Sequence, residues 1–384
     1  MPHSISFRRK ILYALITLVL FVGIPEILVR LIWSPKSPSA RAVGTRQFVN
    51  WLSGLVEAQD ASTVLFRRDP HLLWALRPDL QFECVINHRL RDAEKQMMRI
   101  TINEDGYRGP RMPPTKSQEN ELRVLCLGDS NFFGYPLDDD HAFPCMLGKA
   151  LTRVSQAKFP IQVYNGGVLG YSVLQGERLY AAKFQDCEFD WLLLAFLNND
   201  AWRQPHADRD LMSRQSPVIY LLNCVADNVR LAKWSRSILI GDRAPEDFVP
   251  RVELDDFLQA HLRLIAAARE KGARVMLVDY DVFNTRVRYS QRLKSLAEEA
   301  EVAYFPVFDQ IQAAFRVNPL MEQYSELAAR VSRRWTPNLM RQKPYLRCFA
   351  ELKPEHLNEV GVAWLADQIA PQLLEAGGHV DLRP

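Results

Sequence analysis

Ser130 closes the run Arg123-Val-Leu-Cys-Leu-Gly128-Asp129-Ser130, in which a short apolar stretch breaks at Gly-Asp-Ser. A serine hydroxyl becomes a nucleophile when a base and oxyanion donors are brought to it. A buried strand delivering a serine to a glycine turn exposes that hydroxyl at the carboxyl edge of a sheet, where open α/β sheets keep their crevices. A helix starting after the turn aims free N–H groups at developing negative charge. Three further segments bring polar groups in order. Val163 to Ser172 reads as a strand breaking into the loop Gly166-Gly167-Val-Leu-Gly170. Phe189 to Asp200 is a second apolar run, ending in Asn198-Asn199-Asp200. His356 opens His-Leu-Asn-Glu-Val-Gly361 near the C-terminus. Each also has an ordinary reading. Ser130 suits a helix N-cap, Gly170 a turn, and Asn199-Asp200 a strand-end turn or cap. His356 precedes Leu357, Val360, Ala363, Trp364 and Leu365, an amphipathic helix face, where a capping or surface histidine is common.

Taken together and in this order, the four blocks resemble the SGNH (GDSL-type) hydrolase superfamily, named for its Ser, Gly, Asn and His, across residues 95 to 375. Thr101 to Arg108, a strand running into Asn-x-x-Gly-Tyr-Arg, resembles the lead-in of membrane-anchored members. The resemblance implies Ser130 as nucleophile and His356 as base, with the Ser130 amide, Gly170 and the Asn199 side-chain amide as oxyanion donors. Each role is chemically suitable: glycine lets the backbone approach a reacting carbonyl closely, and losing one such donor costs about 3 to 4 kcal/mol of transition-state stabilisation.

Two positions depart from the family pattern. Members carry Asp-x-x-His, the acid fixing the imidazole tautomer, whereas this chain reads Lys353-Pro354-Glu355-His356. A lysine there disfavours the imidazolium. Three alternatives stay open: Glu351 or Glu355 supplies the acid from a shifted backbone, a backbone carbonyl holds Nδ1–H in a Ser–His dyad, or the site is weakened. Leu197 stands where the third block has glycine, narrowing the room beside Asn199. Asp309, ending Phe305-Pro-Val-Phe-Asp309, is a further crevice candidate, with a turn aspartate as its ordinary reading.

The chain opens with Arg8-Arg9-Lys10 and continues apolar from Ile11 to Trp33, broken by Pro25, Glu26 and Arg30. As a helix those residues extend about 35 Å, enough to cross a bilayer core. Glu26 and Arg30, four apart, can pair on one face. The leading basic cluster predicts a cytoplasmic N-terminus, with the remainder extracytoplasmic, in the periplasm if the cell is Gram-negative. A cleaved signal peptide is the rival, but the cleavage-like Ala40-Arg41-Ala42 lies far beyond the apolar run, and an uncleaved anchor is expected.

Hydrophobic residues form 48% of the chain and the formal net charge is +3, which calls for a substantial core and gives no reason to expect nucleic acid. The six cysteines include no Cys-x-x-Cys pair, and the eight histidines show no metal-ligand spacing. Asp138-Asp139-Asp140-His141 lacks the glycine and distal glutamate of a calcium loop, so neither metal nor cofactor is expected. Arg330, Arg333, Arg334, Arg341, Lys343 and Arg347 precede the histidine block and suit either an anionic ligand or a plain solvated surface.

Apolar runs at Val124–Leu127, Ile161–Tyr164, Trp191–Phe196, Arg274–Asp279 and Ala303–Val307 alternate with amphipathic stretches at Asp255–Lys271 and Gln291–Ala300. That alternation predicts an α/β fold with a doubly wound parallel sheet. The resemblance makes it a flavodoxin-like three-layer core over residues 119–384. Ahead of it are expected a tip and anchor (1–33) and a linker with a small membrane-proximal region (34–118), including extended segments at Phe82–Ile86 and Met98–Ile102. A helix near Tyr220–Lys233 is expected within the long loop after Ala201. The functional expectation is a membrane-anchored serine esterase or acyltransferase acting on small O-acyl groups of envelope or exported polysaccharide. The alternative is a catalytically degenerate scaffold for glycan binding or envelope assembly.

Overall fold

Along the strand Leu122–Gly128, side chains alternate between two apolar cores. Leu122, Val124 and Cys126 enter one, and Leu125 and Leu127 the other. A period of two with both faces covered is the signature of a strand buried between helical layers. The computed structural model describes residues 7–32, 65–85, 97–214, 220, 245–281, 286–317, 323–327, 349–350 and 353–376.

The chain begins with α1 (Phe7–Leu18), a π-helical segment (Val19–Gly23) and α2 (Ile24–Ile32). Two antiparallel pairs follow: β1 (Phe66–Asp69) with β2 (Leu73–Leu76), and β3 (Leu80–Val85) with β4 (Met97–Ile102). Then come β5 (Leu122–Gly128), α3 (Ser130–Phe133), α4 (Phe143–Val154), β6 (Ile161–Gly167), α5 (Val173–Lys183) and β7 (Trp191–Ala195). A short excursion holds β8 (Arg203–Gln204), α6 (Asp208–Ser213) and β9 (Val249–Pro250). The fold closes with α7 (Leu254–Glu270), β10 (Arg274–Asp279), α8 (Val287–Glu299), β11 (Ala303–Pro306), α9 (Val307–Val317), β12 (Phe349–Ala350), β13 (Lys353–Leu357) and α10 (Glu359–Ala376).

Five strands form one all-parallel sheet in the order β11-β10-β7-β5-β6. Parallel neighbours need crossover connections, and the intervening helices supply them on both faces. Residues of α5, α7 and α8 join the core with Leu125 and Leu127, whereas α4 and α10 pack with Val124 and Cys126. The order of connection reverses between β5 and β7, so the crevice of a doubly wound sheet belongs at their carboxyl ends. Residues from Leu65 to Met112 share the first core with the sheet rather than building one of their own.

No single helix among the described residues is long and apolar enough to cross a membrane. The stretch from Ile11 to Trp33 runs through α1, the π-helical segment and α2 in succession, and Trp33 and the Arg30 side chain lie outside the described residues. Two expectations about the histidine block need correction. His356 lies on β13, and the helix expected to start beside it begins at Glu359. The first turns of that helix are buried all round rather than amphipathic. The linker at 34–41, Ala40 to Ala42, nearly all of the Tyr220–Lys233 segment and the basic run from Arg330 to Arg347 lie outside the described residues.

Candidate active site

Ser130 takes the first position of α3, directly after β5. The residue capping that helix is Asp129, whose Oδ1 accepts from the Asn131 N–H at 2.9 Å and the Asn131 side-chain amide at 3.0 Å. With the cap supplied by its neighbour, the serine hydroxyl is released from that role. It meets the imidazole instead: Ser130 Oγ and His356 Nε2 are 2.7 Å apart, with both residues buried. The His356 ring stands edge-on to Tyr135, their centroids 5.3 Å apart.

The turn that carries Ser130 is tightly wedged. A Cβ on Gly167 would lie 2.3 Å from the Phe133 nitrogen, so only glycine lets the end of β6 approach α3. The buried Arg108 binds the chain beyond α3. Its Nη1 donates to Phe133 O at 2.9 Å, Nη2 to Leu137 O and Arg99 O at 2.8 Å each, and Nε pairs with Asp139 at 2.7 Å. Asp138 accepts from the Arg99 N–H and Asp139 from the Thr101 N–H, so this acidic run ties β4 to the site loop. Among the described residues no cluster of His, Cys, Asp and Glu is grouped to hold a metal ion.

Asn199 lies just beyond β7 and bridges two other walls. Its side-chain nitrogen donates to Asp129 Oδ2 at 3.2 Å and to Tyr171 O at 3.1 Å. It therefore joins the chain next to Ser130 with the chain next to Gly170. Both of its N–H groups are engaged here, so service as an oxyanion donor requires one of them to leave its present acceptor. Gly170 has φ of +76°, a conformation that side-chain-bearing residues rarely adopt. Its carbonyl accepts from Arg251 Nη1 at 2.6 Å. Arg251 also binds both oxygens of Asp208 and the Gln175 side chain.

Burial decides the electrostatics. It pushes the Asp129 carboxyl up to about 6 despite the Asn131 donors and the nearby Arg251 charge. It pushes Asp200, which accepts from the Val173 N–H at 2.7 Å, up to about 7. Leu197 is packed into the core, and Asp309 is exposed in the first turn of α9. Glu351 and the side chains of Lys353 and Glu355 lie outside the described residues. Asp129 as cap, Arg108 and Arg251 are contributions the sequence reading did not assign. The first two sit inside motifs it quoted; Arg251 follows an unremarkable Val-Pro and carried no signal.

A chemically coherent set thus converges where β5 and β7 end: a hydroxyl on an imidazole nitrogen, a left-handed glycine turn, and an amide linking them. No family model and no curated protein matches the chain. Among solved structures, an acetyl xylan esterase is 13% identical, aligning over 66% of this chain and 100% of its own with a TM-score of 0.39. A lipase/acylhydrolase from Enterococcus faecalis is 13% identical over 68% of this chain and 99% of its own, with a TM-score of 0.39. Similarity this distant decides nothing about activity.

Proposed function

We propose that the protein is a serine ester hydrolase of the SGNH (GDSL-type) superfamily, acting on small O-acyl groups such as acetate on envelope or exported polysaccharide. Transfer of the acyl group to a sugar hydroxyl is the variant of the same chemistry. The observation that carries this reading is the 2.7 Å approach of Ser130 Oγ to His356 Nε2, across 226 residues of sequence, at the sheet's switch point. His356 Nε2 takes the hydroxyl proton as Ser130 Oγ attacks the ester carbonyl. The Ser130 and Gly170 amides receive the oxyanion, joined by Asn199 when it releases an acceptor. The alkoxide leaves with the proton from His356, and water, deprotonated in turn by His356, cleaves the acyl-enzyme to the free acid.

The polysaccharide and the location rest on the N-terminal segment. Ile11, Leu15, Leu18, Phe21, Ile24 and Leu28 among its large apolar side chains are exposed, and Leu18 and Ile24 keep right-handed helical dihedrals on either side of the π-helical segment. That suits a helical anchor entering a bilayer behind the Arg8-Arg9-Lys10 cluster, with the folded part outside. The test uses the full chain in detergent with an aryl acetate. Wild type turns over and Ser130→Ala falls to background, a loss of roughly 10⁴-fold or more. A serine-reactive fluorophosphonate labels the wild type at Ser130. Failure of both turnover and labelling in the wild type rejects the reading. It would favour a glycan-binding scaffold, for which the engaged Asn199 amide and Lys353 in place of an acid already speak.

A further inference from the structure

The strand pair at residues 66–76 lies before the hydrolase-like blocks, yet its indole reaches the candidate oxyanion turn. Trp74 is buried, and its Nε1–H donates to Leu169 O at 3.2 Å. The peptide unit that contains that carbonyl also contains the Gly170 N–H. In a trans peptide the two point in opposite directions. An indole holding the carbonyl on one side therefore turns the N–H to the other. On the far side of the same α-carbon, Arg251 holds Gly170 O at 2.6 Å, and its guanidinium lies 5.6 Å from the Trp74 ring centroid.

The indole is itself locked. Tyr171 donates its hydroxyl to Trp74 O at 2.7 Å, and the two rings meet edge to face at 5.6 Å. Gln175 at the start of α5 donates to Leu72 O at 2.7 Å, and its carbonyl oxygen accepts from Arg251. Both peptide units flanking Gly170 are thus fixed from outside the turn, one by the N-terminal strand pair and one by the residue after β9. A glycine at φ of +76° has no side chain to resist rotation of either unit, so the Tyr171 N–H bond to Val168 O at 3.1 Å within the turn and the two outer clamps hold it together.

We infer that Trp74 is a positioning residue of the proposed esterase site, fixing the peptide that presents the Gly170 N–H to the oxyanion. This rests on the proposed function and adds a part to it: the region ahead of the catalytic blocks completes the oxyanion hole. A purely structural tryptophan would affect folding and not the chemical step.

The discriminating variant is Trp74→Phe, which keeps a ring for Tyr171 and Arg251 to pack on but removes the donor. With an aryl acetate, kcat falls about 10- to 100-fold, short of the full loss of one donor. KM stays within about threefold, because the peptide acts on the transition state and not on substrate binding. Phenylboronic acid, which forms a tetrahedral adduct on the serine, weakens in parallel with kcat. Hydrogen exchange at Gly170 and Tyr171, read by mass spectrometry, speeds up. Unchanged kcat and unchanged exchange, or a kcat loss matched by an equal loss of folded protein, overturns the inference. An inert wild type whose exchange still responds to Trp74→Phe rejects the esterase reading and the oxyanion role, leaving only a clamp. An active wild type indifferent to Trp74→Phe rejects the clamp alone.

Discussion

The two partners of the Ser130–His356 contact are held in contrasting ways. Ser130 is fixed from many directions: the Asp129 cap, the glycine contact with Gly167, and the Arg108 guanidinium gripping residues 133 to 139. His356 is carried by β13, whose described pairing is with two residues, Phe349 and Ala350, and includes a register shift. Beside it Leu357 is buried in the second core and pairs with Phe349, and two residues on Asn358 Oδ1 accepts from the Val360 and Gly361 N–H groups at 3.0 and 3.1 Å. The nucleophile is tied by three separate devices, whereas the base is carried on a short strand that runs into the start of α10. Besides the Ser130–His356 contact itself, the Tyr135 ring on the nucleophile side stands edge-on to His356.

The contrast predicts opposite pairings of stability loss and activity loss. Arg108→Met gives the largest stability effect, since it leaves Asp139 without its cation and several carbonyls without their donor. A loss of about 3 to 5 kcal/mol is expected in urea unfolding. Because the Asp129 cap and the Gly167 contact remain, kcat per folded molecule stays within about tenfold. A fall of a hundredfold or more among molecules still folded would show that the nucleophile is not redundantly held.

How legible this was from sequence follows from the same contrast. All five sheet strands read as apolar runs: β5, β7 and β10 because both faces are buried, the edge strands β6 and β11 in spite of partly exposed residues, and the observed ranges differ by a few residues at their ends. The Gly-Asp-Ser turn was readable as a turn, yet the sequence alone could not divide labour between Asp129 as cap and Ser130 as free hydroxyl. That requires knowing that the first helical residue is 130. The π-helical segment at Val19–Gly23 left no sign in an apolar run that reads the same as α-helix. Trp74 and Arg251 act through Leu169 O and Gly170 O, and no spacing rule reveals contacts 95 and 81 residues apart.

The nucleophile side also carries two buried carboxylates, which sharpens the comparison through pH. Asp129 and Asp200 have their pKa raised by burial, to about 6 and about 7, above the ordinary carboxylate value of 3.8. Between pH 4 and 7 the folded state therefore binds more protons than the unfolded one, and stability falls as pH rises through that window. Asp200→Asn keeps an oxygen for the Val173 N–H while removing the charge. It is expected to stabilise the protein at pH 8 by an amount on the order of 2 kcal/mol, to leave pH 4 unchanged, and to flatten the slope between. Thermal melts at the two pH values measure this, and equal shifts at both would mean that Asp200 ionises freely.

The smallest change in stability is expected at Asn358, with a disproportionate change in rate. Asn358→Ala removes the side-chain acceptor for two buried N–H groups at the start of α10, a loss of about 1 to 2 kcal/mol. Most of α10 is packed in the core and stays folded. Its first turn loosens, and with it the end of β13 that carries His356. The expected kcat loss is about tenfold or more, because displacing a proton acceptor by even an ångström is costly when the contact is 2.7 Å. Asn358→Asp retains an acceptor at the cap and restores most of the rate. Should Asn358→Ala lose stability but keep its rate, the base would be held by something other than the helix start, and the asymmetry between the two sides would disappear.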